Sequence, residues 1–432
     1  MKNNHKIVFM LLFFAISSFL IIVLPNEQIS DSLDYHTKAA EVAKLHEFYP
    51  HLNNLYDLYL WPSFYINMLG SLYMVFGVSP LVGKLFNVIL VFLQLMALEK
   101  IIVLLFENNK KITFYLYIIF LTYPNIYFMN LLTQTEPLFL ALLFGSFLFF
   151  LRIALTPDYG FPDIFACALL LALSILTRPV ALLIPFYMAM VFLCKKINVK
   201  YIAAYVLTSC LVVGVYGMNT LTKLGKFNAI GTTGGYNLLL ANNPYSTGRY
   251  NADSVAYVES FKLEGMDAFI YSNLIKSKAI EYIFSHPART TLQALSKTIY
   301  LFLYDGKLIE TAFNEENKVE RISVRTIIEK LKKGTASWVI LINQIIYMNL
   351  LLLTFVGIYR LIKSRDFERI ALLVSIPLLI LLTTLPAQAS TRLHYAIIMT
   401  CIPVAAYGFL SGFNHRYSHL FEHSRRISKT GD

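Results

Sequence analysis

The chain has 432 residues, of which 57% are hydrophobic and only 15% charged, with a formal net charge of +11. A mean hydropathy of +0.58 excludes an ordinary soluble domain, in which about a quarter of residues are charged. The reading is an all-α polytopic membrane protein, and its positive charge reflects topology and an anionic inner leaflet rather than nucleic acid binding.

Runs long enough to cross about 30 Å of hydrocarbon follow in chain order. They are Ile7 to Leu24, Leu81 to Phe106, Ile112 to Leu132, Pro137 to Leu151, Phe161 to Leu176, Pro179 to Cys194, Tyr201 to Leu221, Trp338 to Tyr359, Ile370 to Leu385 and Leu393 to Leu410. About ten spans are therefore expected. The first run lacks a small-residue cleavage pattern and reads as an uncleaved span. Leu58 to Phe76 is also apolar, but Pro62 and Gly70 interrupt it. If it does not cross, Lys2, Lys6, Lys110, Lys111, Arg152, Lys195, Lys196, Lys200, Arg360, Lys363, Arg365, Arg369 and the basic C-terminal tail share one side. The positive-inside bias then places both termini in the cytoplasm of a multi-pass inner-membrane protein. Leu58 to Phe76 becomes a helix in the outer interface.

This arrangement divides the chain into residues 1–222, a transmembrane module with a first outer loop at 25–80; 223–335, a large outer segment; and 336–432, terminal spans and a cytoplasmic tail. Cys167, Cys194, Cys210 and Cys401 all fall in predicted spans and offer neither a disulfide framework nor metal spacing.

The outer segments hold the chemistry. Directly after the first span come Asp31 and Asp34, close enough to the hydrocarbon to reach a lipid headgroup. His36, His46 and His51 follow, without metal-ligand spacing on one helical face, and Tyr56, Tyr59, Trp61, Phe64 and Tyr65 read as an interfacial aromatic belt. Gly231 to Asn251 is rich in glycine, asparagine and hydroxyls, suited either to sugar or phosphate recognition or to a solvated connector. Ser277 to Tyr304, containing His286, Pro287 and Lys297, has an amphipathic pattern that suits a membrane surface, and Phe313 to Gly334 is charged and helical in pattern.

Polar residues at the outer span ends complete the picture. Glu136 immediately precedes Pro137, so its carboxylate stands at a helix N-terminus, where it serves either the helix dipole or a reaction. Arg178 and Arg392 are the basic residues of the short outer loops. Something negative must favour them there: a salt bridge to Asp31 or Glu136, or a lipid phosphate held by arginine forks. Carboxylates and arginines at one depth suit group transfer on an anionic lipid, with a carboxylate as base and cations stabilising the departing phosphate. Nucleotide sugars are not normally supplied outside the membrane, so the donor would be lipid-linked. A transporter would instead place its ionisable residues near the bilayer midplane.

Several motifs resemble those of one family. Asp31-Ser-Leu-Asp-Tyr35, with Ala39 and Ala40 after it, looks like the acidic first-loop motif of the GT-C superfamily of integral-membrane glycosyltransferases. The closest resemblance is to the family 39-like branch, which includes protein O-mannosyltransferases and the lipid A aminoarabinose transferase. WPSFYINMLGSLYMVFG resembles its proline-bearing juxtamembrane helix, Thr135-Glu136-Pro137-Leu138 its acidic second outer loop, and LTRPVALLIP its basic turn. GGYNLLLANNPYSTG and TRLHYAIIMTCIPVAAYG resemble its Asn-Asn-Pro loop and terminal span. In family order along most of the chain, these motifs imply a GT-C fold and transfer of a sugar from a polyprenyl-phosphate donor to a glycan, lipid or protein acceptor, in contact with membrane lipids.

The resemblance implies Asp31 and Glu136 as the catalytic acids. Both would also ligate a divalent metal ion, Mg or Mn, if one is used. It implies substrate contacts from Asp34, Tyr35, Arg178, Asn242, Asn243, Lys297, Arg392, His394 and Tyr395. Many members carry a second acid directly after the first, where this chain has Ser32, so a tight metal site would need Asp34 to substitute. An O-antigen ligase or polymerase, which uses a pyrophosphate-linked donor at the same face, is the nearest alternative activity.

Overall fold

The computed structural model describes residues 3–24, 27–106, 109–247, 251–313, 334–387 and 391–413, with no strand among them. Helix α1 (Asn3–Val23) leads to α2 (Asp31–Leu45), α3 (Ser63–Phe76), α4 (Pro80–Leu105), α5 (Lys110–Thr122), α6 (Pro124–Phe128), α7 (Glu136–Leu155), α8 (Phe161–Thr177), α9 (Ile184–Cys194) and α10 (Val199–Leu224). Shorter helices follow: α11 (Thr233–Ala241), α12 (Ala252–Glu259), α13 (Ala268–Ser285), α14 (Pro287–Leu303) and α15 (Lys307–Ala312). The last described helices are α16 (Thr335–Lys363), α17 (Phe367–Thr384) and α18 (Thr391–Phe413).

Local chemistry sets these boundaries. Ser79 caps α4, its hydroxyl accepting from Leu81 N, with Pro80 in the first turn; Asn198 caps α10, which ends on left-handed Gly225. Asp267 accepts from two backbone amides at the start of α13. The amphipathic stretch from Ser277 to Tyr304 proves to be two helices, because Pro287 cannot continue α13 and instead opens α14. The charged pattern beyond Phe313 falls on 314–333, outside the described residues.

Among the described residues, six helices are long and apolar enough to cross a membrane: Lys6–Val23, Pro80–Leu105, Glu136–Leu155, Val199–Leu224, Ala336–Lys363 and Phe367–Thr384. The run expected from Ile112 to Leu132 is bent by 62° where Pro124 follows α5, and counts as a seventh if taken as one span. Phe161–Thr177, Pro179–Cys194 and His394–Leu410, also expected to cross, are shorter apolar helices. The spans present apolar side chains outward, among them Phe19, Ile22, Leu211, Val215 and Phe355, as contact with lipid requires.

Leu58 to Phe76 becomes α3, only 14 residues long, laid against α2. The two helices approach closely at Gly70, where an added Cβ would lie 2.5 Å from Val42 Cγ1. His36 Nδ1 and Tyr73 OH stand 2.7 Å apart across the same contact, and Tyr35 packs against Trp61 and Tyr65. The interfacial aromatics are thus partly core. Further on, Gly231, at φ +78°, passes so close to the Leu60 carbonyl that a Cβ would lie 2.5 Å from it. Thr232 N donates to Leu60 O and Leu60 N donates to Thr232 Oγ1, both at 2.8 Å. The two long polar segments are therefore stitched together at one end of the bundle.

Candidate functional site

Asp31 and Asp34 occupy the first turn of α2, as the loop after a first span would place them. Asp31 is half-buried and Asp34 exposed. Desolvation of its carboxyl and the neighbouring Asp31 charge both raise Asp34 above the usual carboxylate range, although Lys38 opposes the shift. Lys38 is itself drawn to Asp57 Oδ2 at 2.8 Å.

The loop before α7 is fastened to this turn. Thr133 Oγ1 donates to Ser32 O at 2.7 Å, Thr133 N donates to Gln28 Oε1 at 2.8 Å, and Gln28 Nε2 donates to Leu131 O at 3.4 Å. The first turn of α4 closes in from another side, with Gly83 so near Thr133 that a Cβ would lie 2.6 Å from its Cγ2. Asn87 Nδ2 donates to Leu132 O at 2.7 Å and Gln94 Nε2 to Pro137 O at 2.8 Å. Ser32, one residue after the expected catalytic acid, thus reaches the loop that carries the second.

Glu136 begins α7 and is 1% exposed. Arg178, just past the end of α8, places Nη1 2.6 Å from Glu136 Oε1 and donates to Thr135 Oγ1 at 3.0 Å. Of the partners that the sequence offered Arg178, Glu136 is the one this arrangement contains. A buried carboxylate is costly unless paired, and this pair cancels its own charge. A further buried cation was missed: Lys84, the fifth residue of α4, is 0% exposed. A single lysine inside an apolar run left its hydropathy almost unchanged.

The remaining expected contacts divide. Asn242 and Lys297 come together, with Lys297 Nζ 3.4 Å from Asn242 Oδ1. Asn243 instead serves its own loop: its amide donates to Leu239 O and Leu240 O, and its Oδ1 accepts from Tyr245 N. Tyr35 is buried among the aromatics of α3. The side chain of Arg392 lies outside the described residues. His394 and Tyr395 are fully buried, and His394 Nε2 pairs with Asp305 Oδ1.

Asp305 was also missed by sequence reading, since nothing in Tyr304-Asp305-Gly306 announces a distant partner. Tyr123 OH donates to Asp305 Oδ2 at 2.6 Å, Asn125 Nδ2 to Asp305 O at 2.8 Å, and Asn343 Nδ2 to Oδ2 at 3.0 Å. Tyr347 stacks on the His394 ring. The cluster ties α5, α6, α16 and α18 around one carboxylate.

For a divalent metal the donor set fits poorly. Among the described residues no three His, Cys, Asp or Glu side chains gather, and Glu136 is committed to Arg178. No step is therefore routed through a metal.

No protein-family model and no curated protein matches the sequence. Among solved structures the chain is similar to two crystal structures of ArnT from Cupriavidus metallidurans, one bound to undecaprenyl phosphate and one in the apo state. The TM-score is 0.45 for each, at 12% and 13% identity, covering 95% of this chain and 79% and 78% of theirs. ArnT is a GT-C lipid A aminoarabinose transferase, of the branch that the motifs resemble. Likeness at this level assigns neither fold nor activity.

Proposed function

We propose that the chain is a glycosyltransferase that moves a sugar from a polyprenyl-phosphate donor to an acceptor at the outer face of the cytoplasmic membrane. The observation that carries this reading is the junction of Asp31, at the head of α2, with the buried Glu136–Arg178 pair through the Thr133–Ser32 hydrogen bond. Acids and cations meet there at the end of an apolar bundle, where a lipid phosphate would stand.

The chemistry follows from the residues. Asp31 accepts the proton of the acceptor hydroxyl or amine as that atom bonds to the anomeric carbon. The bond from that carbon to the phosphate oxygen breaks, and the lipid phosphate leaves with its electron pair. Lys84 and Arg178 stabilise the growing negative charge. Glu136 holds the Arg178 guanidinium in position. Asn242, Lys297, His394 and Tyr395 contribute substrate contacts on the side of the long polar segment.

Incubation of the purified protein with polyprenyl-phosphate sugars and candidate acceptors, read by mass spectrometry, tests the reading. A glycosylated product that Asp31→Asn fails to make supports it. No product from any phosphate-linked donor, with turnover of a pyrophosphate-linked one, would move the assignment to the ligase or polymerase class.

A further inference from the structure

Helix α14 grips the loop between α11 and α12 with three side chains one turn apart. Arg289 Nη2 donates to Pro244 O at 2.6 Å, Gln293 Nε2 to Ser246 O at 2.9 Å, and Lys297 Nζ lies 3.4 Å from Asn242 Oδ1. The spacing of four residues keeps them on one helical face. The first two are good hydrogen bonds; the third is long.

The amide orientations follow from their partners. Asn242 Nδ2 donates to both Leu238 O and Pro386 O at 2.8 Å, so its oxygen must face Lys297. Gln293 Nε2 is used on Ser246, leaving Oε1 buried with no hydrogen-bond partner. Lys297 is 3% exposed and Gln293 8%. An ammonium carries three donors, and among the described residues the one bond to Asn242 is all that Lys297 makes. Burying a cation without a carboxylate is expensive, and burial brings this amine down to about 8, still mostly protonated at neutral pH. A bare cation and a bare acceptor thus share a buried face, one turn apart.

We infer that Lys297, Gln293 and Asn242 form an oxyanion site for a saccharide substrate, with Lys297 holding a phosphate or carboxylate and Gln293 Oε1 accepting from an adjacent hydroxyl. Neither the Asp31–Glu136–Arg178 group nor Lys84 belongs to it. The site would take a phosphorylated or acidic sugar of the acceptor, and in that respect it rests on the transferase reading.

The experiment uses the full-length protein in nanodiscs, labelled with 13C at lysine Cε. The Lys297 resonance is assigned by its loss in Lys297→Met. Inorganic phosphate and glucuronate are titrated separately, with chloride as the control. The expected result is a saturable shift of this resonance with one of the two anions and not with chloride. The responding anion names the class: phosphate points to a phosphorylated acceptor, glucuronate to an acidic one. Gln293→Leu should weaken glucuronate binding about threefold to tenfold, the worth of one buried hydrogen bond. Thermal stabilisation by the same anion, lost in Lys297→Met and kept in Lys297→Arg, gives a readout independent of the resonance. No saturable shift with either anion, or an equal shift with chloride, overturns the site. Asp31→Asn should retain the shift. Anion binding without any sugar transfer would thus sink the enzyme reading alone, and transfer without anion binding would sink this site alone.

Discussion

The two ends of the bundle handle charge in opposite ways. At the end where α1 finishes and α4 and α7 begin, Lys84, Glu136, Lys297, Asp305 and His394 are all buried. At the other end each pair keeps at least one partner in solvent: Lys6 with Glu99, Arg152 with a buried Asp163, and Lys195 with Glu368, whose side chains are 38% and 54% exposed. Exposed pairs contribute little and cost little. Buried ones cost several kcal/mol per ion before their partners offset it. A fold that needed only to stand in a membrane would have no use for the expensive end, and the proposed site lies there.

If that contrast is right, the largest effects come from the buried end. Asp31→Asn should lower sugar transfer by about 10²- to 10⁴-fold, the span expected of a general base, with membrane insertion and thermal stability unchanged. Wild-type turnover by this variant would remove Asp31 from the chemistry.

Breaking the Glu136–Arg178 pair comes next. Arg178→Ala leaves a buried carboxylate unpaired, and Glu136→Gln leaves a guanidinium without its counter-charge, so each should cost about 3–5 kcal/mol of stability. Arg178→Ala should also weaken donor lipid binding. The double variant Glu136→Gln/Arg178→Ala should be less destabilised than the two single losses added together. Additive losses in a double-mutant cycle would show that the two groups do not act as a pair.

What the sequence conveyed and what it hid divide along a physical line. Features written in adjacent residues were legible: Pro62 stands immediately before α3, and Glu136-Pro137 marked the start of α7. Arg178 was legible as needing a negative partner, because topology made it anomalous. The break at Pro124 was visible in the letters, but hydropathy alone runs through it. Lys84 and Asp305 were not found, since a lone charge is diluted by its apolar neighbours and its burial is decided by helices far away in the chain. Asn243 shows the opposite case: its motif is conspicuous, and its amide closes its own turn. Whether a polar group is spent locally or left facing inward is a matter of packing.

Lys297 sharpens the contrast through pH. Burial lowers its amine to about 8, against about 10.4 in an unfolded chain. Below pH 8 both states hold the proton and the folded one carries the full cost of a buried cation. Between about pH 8 and 10.4 only the unfolded state stays protonated, so stability should rise with pH across that window. Acylation of Lys297, followed by peptide mass spectrometry, should show a midpoint near 8 and disappear in Lys297→Met. A midpoint above 10 would mean that the amine is not buried.

The smallest effect belongs to the opposite end, and its smallness is the point. Lys195 and Glu368 join the end of α9 to the start of α17, and because solvent screens both, Lys195→Ala should change stability by about 0–1 kcal/mol, less at high salt. Sugar transfer should stay at the wild-type rate. A loss comparable to that of Arg178→Ala would mean that this end also bears buried electrostatic work, and the division of labour between the two ends would fail.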